Sequence, residues 1–482
     1  MSVSLIELET IVVSPTNYFL FTPLLPGATT GTVESRSLLE SVRKICRRSN
    51  AHYYDAWAED VNFENKTVLI AESADKKIHV PYDKLVIALG ARNETYGIPG
   101  VRENVHFCKT INDARKIRDK LTSIFEEAAS PLMTDEERSK ILSFVIVGGG
   151  PTGVEFSAEL YDFLNRDLIN YYPDLVKRHV RVTLIQGADH VLNTFDEAIS
   201  NYTEDRFRRQ NINVVTNAFV QSVDKNTIVY KTKNSNGTND IKTIPYGLCV
   251  WSTGIAMHEM VKRMSSKLIP QTNRKALSVD PNLNVIGAKD VYALGDCSTI
   301  VVPKIGDIVL SQCKEGMTSE ELVTVIDGII EKYPQHSSFL SSLKEHLFKV
   351  HGTTWTFETL GDRLRKLDSK TTTLPATAQV ASQQGAYMAA KLNKIGRYPE
   401  RDWQMIESQL KPFKYNHLGN FSYVGGDAAV LDLGKGQGTG GFAAFFLWRS
   451  AYLLRQVSLR TRVLLAWDWT KTYVFGRDIS NI

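Results

Sequence analysis

The sequence predicts an α/β fold with two Rossmann-like nucleotide-binding lobes, and three observations predict it. Residues 144–147 form a short apolar run of the kind buried in a parallel sheet, and the run stops at Gly148, Gly150 and Gly153, in G-x-G-x-x-G spacing. A helical stretch follows, in which Val154, Ala158 and Leu160 continue one apolar face, and a second strand-like run, 180–185, comes at crossover distance. Two other apolar runs, 84–90 and 248–251, end in comparable turns, Ala88-Leu-Gly90 and Ser252-Thr-Gly254, so the strand-to-glycine device recurs.

Each glycine of the main turn has a physical reason. Gly148 permits the tight turn, Gly150 lets the backbone approach a pyrophosphate, and Gly153 lets the helix pack close to the strand. The N-terminus of that helix then points at the phosphates.

Taken from its start, the chain begins with residues 1–10, which carry Glu7 and Glu9 and no arginine, the wrong chemistry for a signal or transit peptide. Residues 10–13 read as a buried strand. The stretch 17–26 is too broken by proline for a regular element and too apolar for an exposed loop, which leaves a pocket lining or a hydrophobic loop packed on the core. Residues 51–80 alternate in short strand-like pieces. After the main turn, a long helix is expected to run to about Tyr171. Gln186 ends the strand that follows, and a further strand over 290–293 leads into Leu294-Gly-Asp296. An acidic residue just beyond a strand's carboxyl end accepts hydrogen bonds from sugar-type hydroxyls or caps a helix.

Residues 299–370 change character. Thr318-x-x-Glu321 has the form of a capping box that opens an amphipathic helix to about Tyr333, and 340–350 reads as another helix. Gln379 and Gln383, four apart on one helix face, suit either a polar ring ligand or plain solvation. From 440 to 477 aromatic residues alternate with Arg449, Arg455, Arg460, Arg462, Lys471 and Arg477, a pattern of helices lying in a bilayer surface; a helical hairpin closing a soluble dimer would look similar.

Composition narrows the classes. At 482 residues, with 43% hydrophobic and 23% charged content, the chain has room for two or three domains. A net charge of +4 is too small and dispersed to indicate nucleic acid. The five cysteines form no C-x-x-C pair, so neither a redox dithiol nor structural zinc is expected. No run of 18 apolar residues occurs.

Together these stretches resemble the type II (alternative) NAD(P)H:ubiquinone oxidoreductases of fungal and plant mitochondria. The resemblance rests on unlinked motifs at 17–26, 82–91, 97–101, 147–155, 292–296 and 374–381. It implies an enzyme with FAD in one lobe and NADH or NADPH in the other, reducing ubiquinone without pumping protons; the flavin carries the chemistry, so no metal is expected. On that resemblance Gly90 and Asp296 contact FAD, with Asp296 at the ribityl chain. Ala378 and Gln379 start the helix beside the flavin, and Gln379 and Gln383 line the quinone entrance. Glu155 lies near the nicotinamide, and Gly148, Gly150, Gly153 and Gly254 hold the nicotinamide nucleotide. Gln186 stands where NADH-selective sites carry an acid, so NADPH is expected to be accepted as well; Asp189 is the next acidic residue.

The implied organisation is 1–110 as the first part of the FAD lobe, 111–255 as the NAD(P)H lobe, and 256–298 as the return to the FAD lobe. Then come 299–372 as a degenerate EF-hand-like insertion, 373–425 as the FAD and quinone segment, and 426–482 as the membrane-associating region. External members of the family carry an EF-hand at the insertion. Aligned here on Glu321 as the twelfth loop position, Leu310, Gln312 and Lys314 fall where calcium needs oxygen ligands, so no calcium binding is expected. The implied location is the mitochondrial inner membrane, peripheral, on its intermembrane-space face; a homodimer is left open.

One departure counts against the full activity. The family begins with a strand and glycine motif for FAD, whereas residues 1–9 hold no glycine and Thr10 already begins the second strand. The expectation is a truncated start from which a presequence is also missing, and the competing reading is a remnant that binds nicotinamide nucleotide but holds no FAD. A soluble flavin reductase with a protein acceptor is a third reading, opposed by the C-terminal segment.

Overall fold

The computed structural model describes residues 8–233, 239–301, 304–314, 316–332, 337–348, 354–356, 358, 360–362, 364, 373–398, 403–434 and 436–480. The chain start 1–7, Tyr333 and residues 349–350, where the sequence places a lost strand and two helix ends, lie outside the described residues. The strands that organise the parallel sheets are β1 (Ile11–Ser14), β2 (His52–Asp55), β3 (Leu85–Ile87), β4 (His106–Phe107), β5 (Ser143–Val147), β6 (Arg181–Ile185), β7 (Ile212–Val215), β8 (Leu248–Trp251) and β9 (Val291–Ala293). The helices used below are α1 (Leu25–Thr30), α2 (Val42–Arg48), α3 (Ile111–Ala128), α4 (Pro151–Asp162), α5 (Ser319–Lys332), α6 (Ser337–Phe348), α7 (Ala378–Ile395), α8 (Phe442–Leu454) and α9 (Leu459–Phe475).

By contacts the chain divides into two units. One holds residues 1–15, 50–92 and 256–416, the other 16–49, 93–255 and 417–482. The division therefore cuts inside the stretch 1–110 that the sequence treats as one piece.

In the second unit β4, β8, β5, β6 and β7 lie in that order, all parallel. Strand β5 is central and buried at all five residues, as its unbroken apolar run demands. The chain leaves β5 towards β6 on one side, while β8 flanks it on the other, so the order reverses between β5 and β8. Residues 16–49 join this unit by packing. The stretch 17–26 is not an irregular loop: it holds a strand (Tyr18–Leu20), a 3₁₀ turn (Thr22–Leu24) and the start of α1, with Pro26 in the first turn, where the missing N–H costs nothing. Every residue of α1 is buried. Phe21, Leu24, Leu25 and Ala28 enter the same apolar core as α3, α4 and the C-terminal helices. The helix after the glycine turn does extend to Tyr171, but 163–168 is wound as a π-helix.

The first unit carries three separate parallel ribbons, β1 with β2, β3 with β9, and Leu277–Val279 with Ser298–Ile300. Residues 57–81 form a three-stranded antiparallel sheet. Strand β1 is only half-buried along its length, not the buried strand read from sequence. The reason is pairing: among the described residues β1 has a neighbour on one side alone. Helix α7 is anchored to this unit by Lys391, nearly fully buried, which donates to the Asn282 carbonyl (3.1 Å) and Asn284 Oδ1 (2.9 Å) and sits 4.4 Å from the Tyr292 ring centre. Burial pulls its ammonium down to about 8.

The insertion has its own apolar core, built by Ile308, Val309, Leu322, Ile326, Leu340, Leu343 and Leu360. Met317–Thr318 and Thr354–Trp355 pair as a short antiparallel ribbon. Thr318 and Glu321 make the reciprocal capping bonds at 2.9 and 3.3 Å, so the carboxylate at the would-be twelfth calcium position turns back onto its own helix. Leu310 and Gln312 lie inside a helix, Ile305–Gln312, rather than in a ligand loop.

Candidate functional site

The glycine turn lies at the carboxyl ends of β5 and β8, where the strand order reverses and open α/β sheets bind ligands. Gly148 has φ +111, and a Cβ there would lie 2.8 Å from the Thr253 Cβ. A Cβ on Gly153 would lie 1.9 Å from the Gly148 carbonyl oxygen and 2.6 Å from Ser252 Oγ, so glycine is required for α4 to pack. A Cβ on Gly150 would meet nothing within 4 Å. That open side lies at the N-cap of α4, where the first helical amides have no partner within the helix and an anion can be received. Ser252 holds the turn from β8, its hydroxyl 3.1 and 3.2 Å from the carbonyl oxygens of Val147 and Gly148.

Gln186 ends β6 as expected, but its amide is engaged. Gly149 N donates to Oε1 (3.0 Å), and Nε2 donates to the His190 carbonyl (3.1 Å). The residue therefore shapes the glycine turn itself. Gly254 also has positive φ (+74), and a Cβ there would lie 2.6 Å from Tyr96 Oη; Trp251 Nε1 donates to the Glu94 carbonyl at 2.9 Å below it.

Glu155, one turn into α4, is 6% exposed and accepts the Tyr423 backbone N–H at 3.2 Å. Burial pushes its carboxyl up to about 8, against that hydrogen bond and with help from Glu159. Two further buried acids that sequence reasoning did not single out follow on the same face, Glu159 and Asp162. Glu159 accepts from Thr30 (3.2 Å), from Thr32 and from Arg477 Nη2 (3.2 Å). Asp162 accepts from the Tyr423 hydroxyl and from Gly426 N (3.0 Å). Spacing 155, 159, 162 was the available signal, since acids four and three apart on a helix share a face.

The first unit holds the other named residues. Gly90 has φ +64 and open space where a Cβ would stand. Asp296 lies in a 3₁₀ turn, Gly295–Cys297, directly after β9. Helix α7 begins at Ala378 with Thr377 as its N-cap, its hydroxyl accepting from Val380 N. The two glutamines do share a face, and the structure shows what they hold: the Tyr415 hydroxyl donates to Gln379 Oε1 (2.5 Å), and Gln383 exchanges both bonds with the Asn416 backbone (2.8 and 2.9 Å). Gln384, missed from sequence, is buried and accepts from Gly295 N at 2.7 Å, tying α7 to the Asp296 turn. These residues suit the ring and ribityl end of a flavin. A strand, glycine turn and helix for its pyrophosphate is not found among the described residues of this unit.

Among the described residues no group of three or more His, Cys, Asp or Glu is placed to hold a metal ion. Nor is any described helix long and apolar enough to cross a membrane. The C-terminal helices are two-sided instead. Thr461, Leu465, Asp468 and Trp469 of α9 are buried, while Leu459, Val463 and Trp467, spaced by four, are 75%, 60% and 60% exposed.

Residues 1–326 match the family model described as pyridine nucleotide-disulphide oxidoreductase, and residues 417–478 match the NDH2 C-terminal domain. The chain is 42% identical over 501 residues to the external alternative NAD(P)H-ubiquinone oxidoreductase B1, mitochondrial, of Arabidopsis thaliana, covering 98% of this chain and 87% of that protein. It is 34% identical to the external NADH-ubiquinone oxidoreductase 2, mitochondrial, of Saccharomyces cerevisiae, covering 97% and 77%. The solved structure of NDH2 from Plasmodium falciparum in complex with NADH superposes with TM-score 0.87 at 31% identity, over 98% of this chain and 94% of that one.

Proposed function

The chain belongs to the type II (alternative) NAD(P)H:quinone oxidoreductase family, and from that premise we propose that it takes hydride from NAD(P)H and passes the electrons to ubiquinone at the mitochondrial inner membrane without pumping protons. The observation that carries the reading is the glycine turn at the reversal point of a five-stranded parallel sheet, with Gly150 facing open space. Relatives matched over nearly the whole chain favour this over a non-catalytic remnant.

A bound flavin would accept the hydride and hand on electrons, chemistry that no side chain supplies. The chain's own part is positional. Gly148, Gly150 and Gly153 shape the nucleotide cradle, and Gln186 and Ser252 brace it. Asp296, set by Gln384 and β9, is offered to ribityl hydroxyls. Gln379 and Gln383 fix the segment at Tyr415–Asn416 beside the start of α7, the face read as the quinone entrance. Glu155 carries a proton at neutral pH. The exposed apolar faces of α8 and α9 support seating on the bilayer surface, and the external relatives support its intermembrane-space side.

The test is NADH oxidation coupled to a short-chain ubiquinone, with FAD counted per chain. The expected result is ubiquinone reduction in proportion to the FAD counted per chain; a preparation that holds FAD and binds NADH yet reduces no quinone would refute the function.

Nucleotide choice is the finer part of the proposal. A neutral amide at Gln186 does not repel the 2′-phosphate of NADPH, whereas a carboxylate would. Gln186→Glu should cost NADPH about 1–3 kcal/mol relative to NADH in kcat/KM. Equal effects on both nucleotides would show that residue 186 acts only through Gly149.

A further inference from the structure

Of the described non-glycine residues with positive φ, Tyr96 is the one aromatic, at φ +54. A bulky side chain in that region is an outlier, and it persists only where neighbouring bonds impose it. Three bonds do so here. The Glu94 N–H donates to the Gly254 carbonyl at 3.2 Å, the Glu94 carbonyl accepts from Trp251 Nε1 at 2.9 Å, and the Glu94 carboxylate turns back to accept the Tyr96 N–H at 2.7 Å. The segment is thereby fastened to the end of β8, with the Tyr96 phenol lying on the Gly254 turn: a Cβ on Gly254 would stand 2.6 Å from its Oη and 2.9 Å from its Cζ. The ring belongs to no apolar core and is 62% exposed, and its hydroxyl makes no hydrogen bond among the described residues.

The order of the strands decides which part of a ligand meets that ring. Strands β8, β5 and β6 are neighbours in that order, and a pyrophosphate received at the N-terminus of α4 sits over the end of β5. Sites of this type place the adenosine ribose beside the residue that ends β6, here Gln186. The other half of a dinucleotide then runs the opposite way, over β8, whose turn abuts the glycine turn where a Cβ on Gly148 would lie 2.8 Å from the Thr253 Cβ. Gly254 and Tyr96 come next along that line. A flat ring face and a hydroxyl that both donates and accepts suit a planar amide-bearing ring joined to a ribose. We infer that Tyr96 is a nucleotide-contacting residue: its ring covers the nicotinamide riboside half of NAD(P)H, and its hydroxyl bonds to an oxygen of that half. The strained backbone is what holds the phenol out of the core and in the path of the ligand. This rests on the reading of the glycine turn as the nicotinamide nucleotide site.

The test compares NADH with ADP, which lacks the nicotinamide riboside, on the full chain. Fluorescence titration should show Tyr96→Gly binding NADH about thirtyfold more weakly than wild type, for the ring cover and the hydrogen bond together. Tyr96→Phe keeps the ring and should lose about fivefold, the scale of one hydrogen bond. ADP, titrated by calorimetry, should bind all three chains alike. The thermal midpoint of Tyr96→Gly should hold or rise, because glycine takes positive φ without strain. A residue kept only for packing would give the reverse pattern, a lower midpoint with unchanged NADH affinity, and that result overturns the assignment. Equal losses for NADH and ADP would overturn it too, since the change would then act by deforming the turn. A wild type that binds neither ligand would sink the nucleotide-site reading and this inference with it, whereas a wild type that binds both, with NADH affinity unchanged in the two variants, sinks the inference alone.

Discussion

The change Gly150→Val is expected to weaken NADH binding roughly a thousandfold and leave the fold's thermal midpoint unchanged. Gly150 has φ −73 and ψ 178, extended backbone that any residue adopts and that a residue before proline, here Pro151, favours. A Cβ there meets no atom of the chain within 4 Å. The folded protein should therefore tolerate the larger side chain, and the loss falls on the ligand. Blocking the approach of a pyrophosphate to two backbone amides forfeits two charge-assisted hydrogen bonds of about 2 kcal/mol each, hence ~4 kcal/mol. Gly153→Ala is the contrast, because its Cβ would lie 1.9 Å from a backbone oxygen and must push α4 off the sheet. That variant should lose stability and binding together. Fluorescence titration with NADH and thermal melts of both variants decide it: a Gly150→Val chain that binds like wild type would show that the open side of the turn is not the phosphate cradle.

The glycine turn was legible in sequence because its determinants are local. A strand of apolar residues, a three-glycine spacing and a helical periodicity all lie within about twenty residues, and each has one cheap backbone solution. The capping box at Thr318 and Glu321 was legible for the same reason. For Asn17 to Pro26 the apolar content foretold burial but not the regular backbone, and nothing in the stretch states which surface will bury it; that is decided by α3 and α4, more than eighty residues later in the chain. Gln186 was placed correctly at the end of its strand, yet its bond to Gly149 N depends on the bend at 187–192, where Leu192 takes φ +50. Glu159, Asp162 and Gln384 were overlooked for a different reason. Charged or amide residues on a helix read as solvated faces by default, and only the tertiary partners, Thr32, Arg477, Tyr423 and Gly295 N, turn them inward.

The change Glu155→Gln is expected to flatten the dependence of stability on pH between about 5 and 8. In the unfolded chain this carboxyl titrates near its ordinary value of 4.5, whereas burial in α4 raises it to about 8 in the folded one. Between those values the folded state holds one proton more than the unfolded state, so stability falls as pH rises, by about 1.4 kcal/mol per unit. The contribution is fully present below the unfolded value and is lost on passing the folded one, a total of about 5 kcal/mol. The glutamine amide would keep an oxygen to accept from the Tyr423 N–H, which lies 3.2 Å from the Glu155 carboxyl, but would have no proton to lose. The two chains should therefore have similar melting temperatures near pH ~5 and diverge as the pH rises, the variant being the more stable near pH ~8. Asp162, on the same helix and likewise raised by burial, titrates in both chains and cancels in the difference. Parallel melting profiles across this range would mean that Glu155 is already ionised at neutral pH, and with that its role as a held proton beside the nucleotide turn would fall.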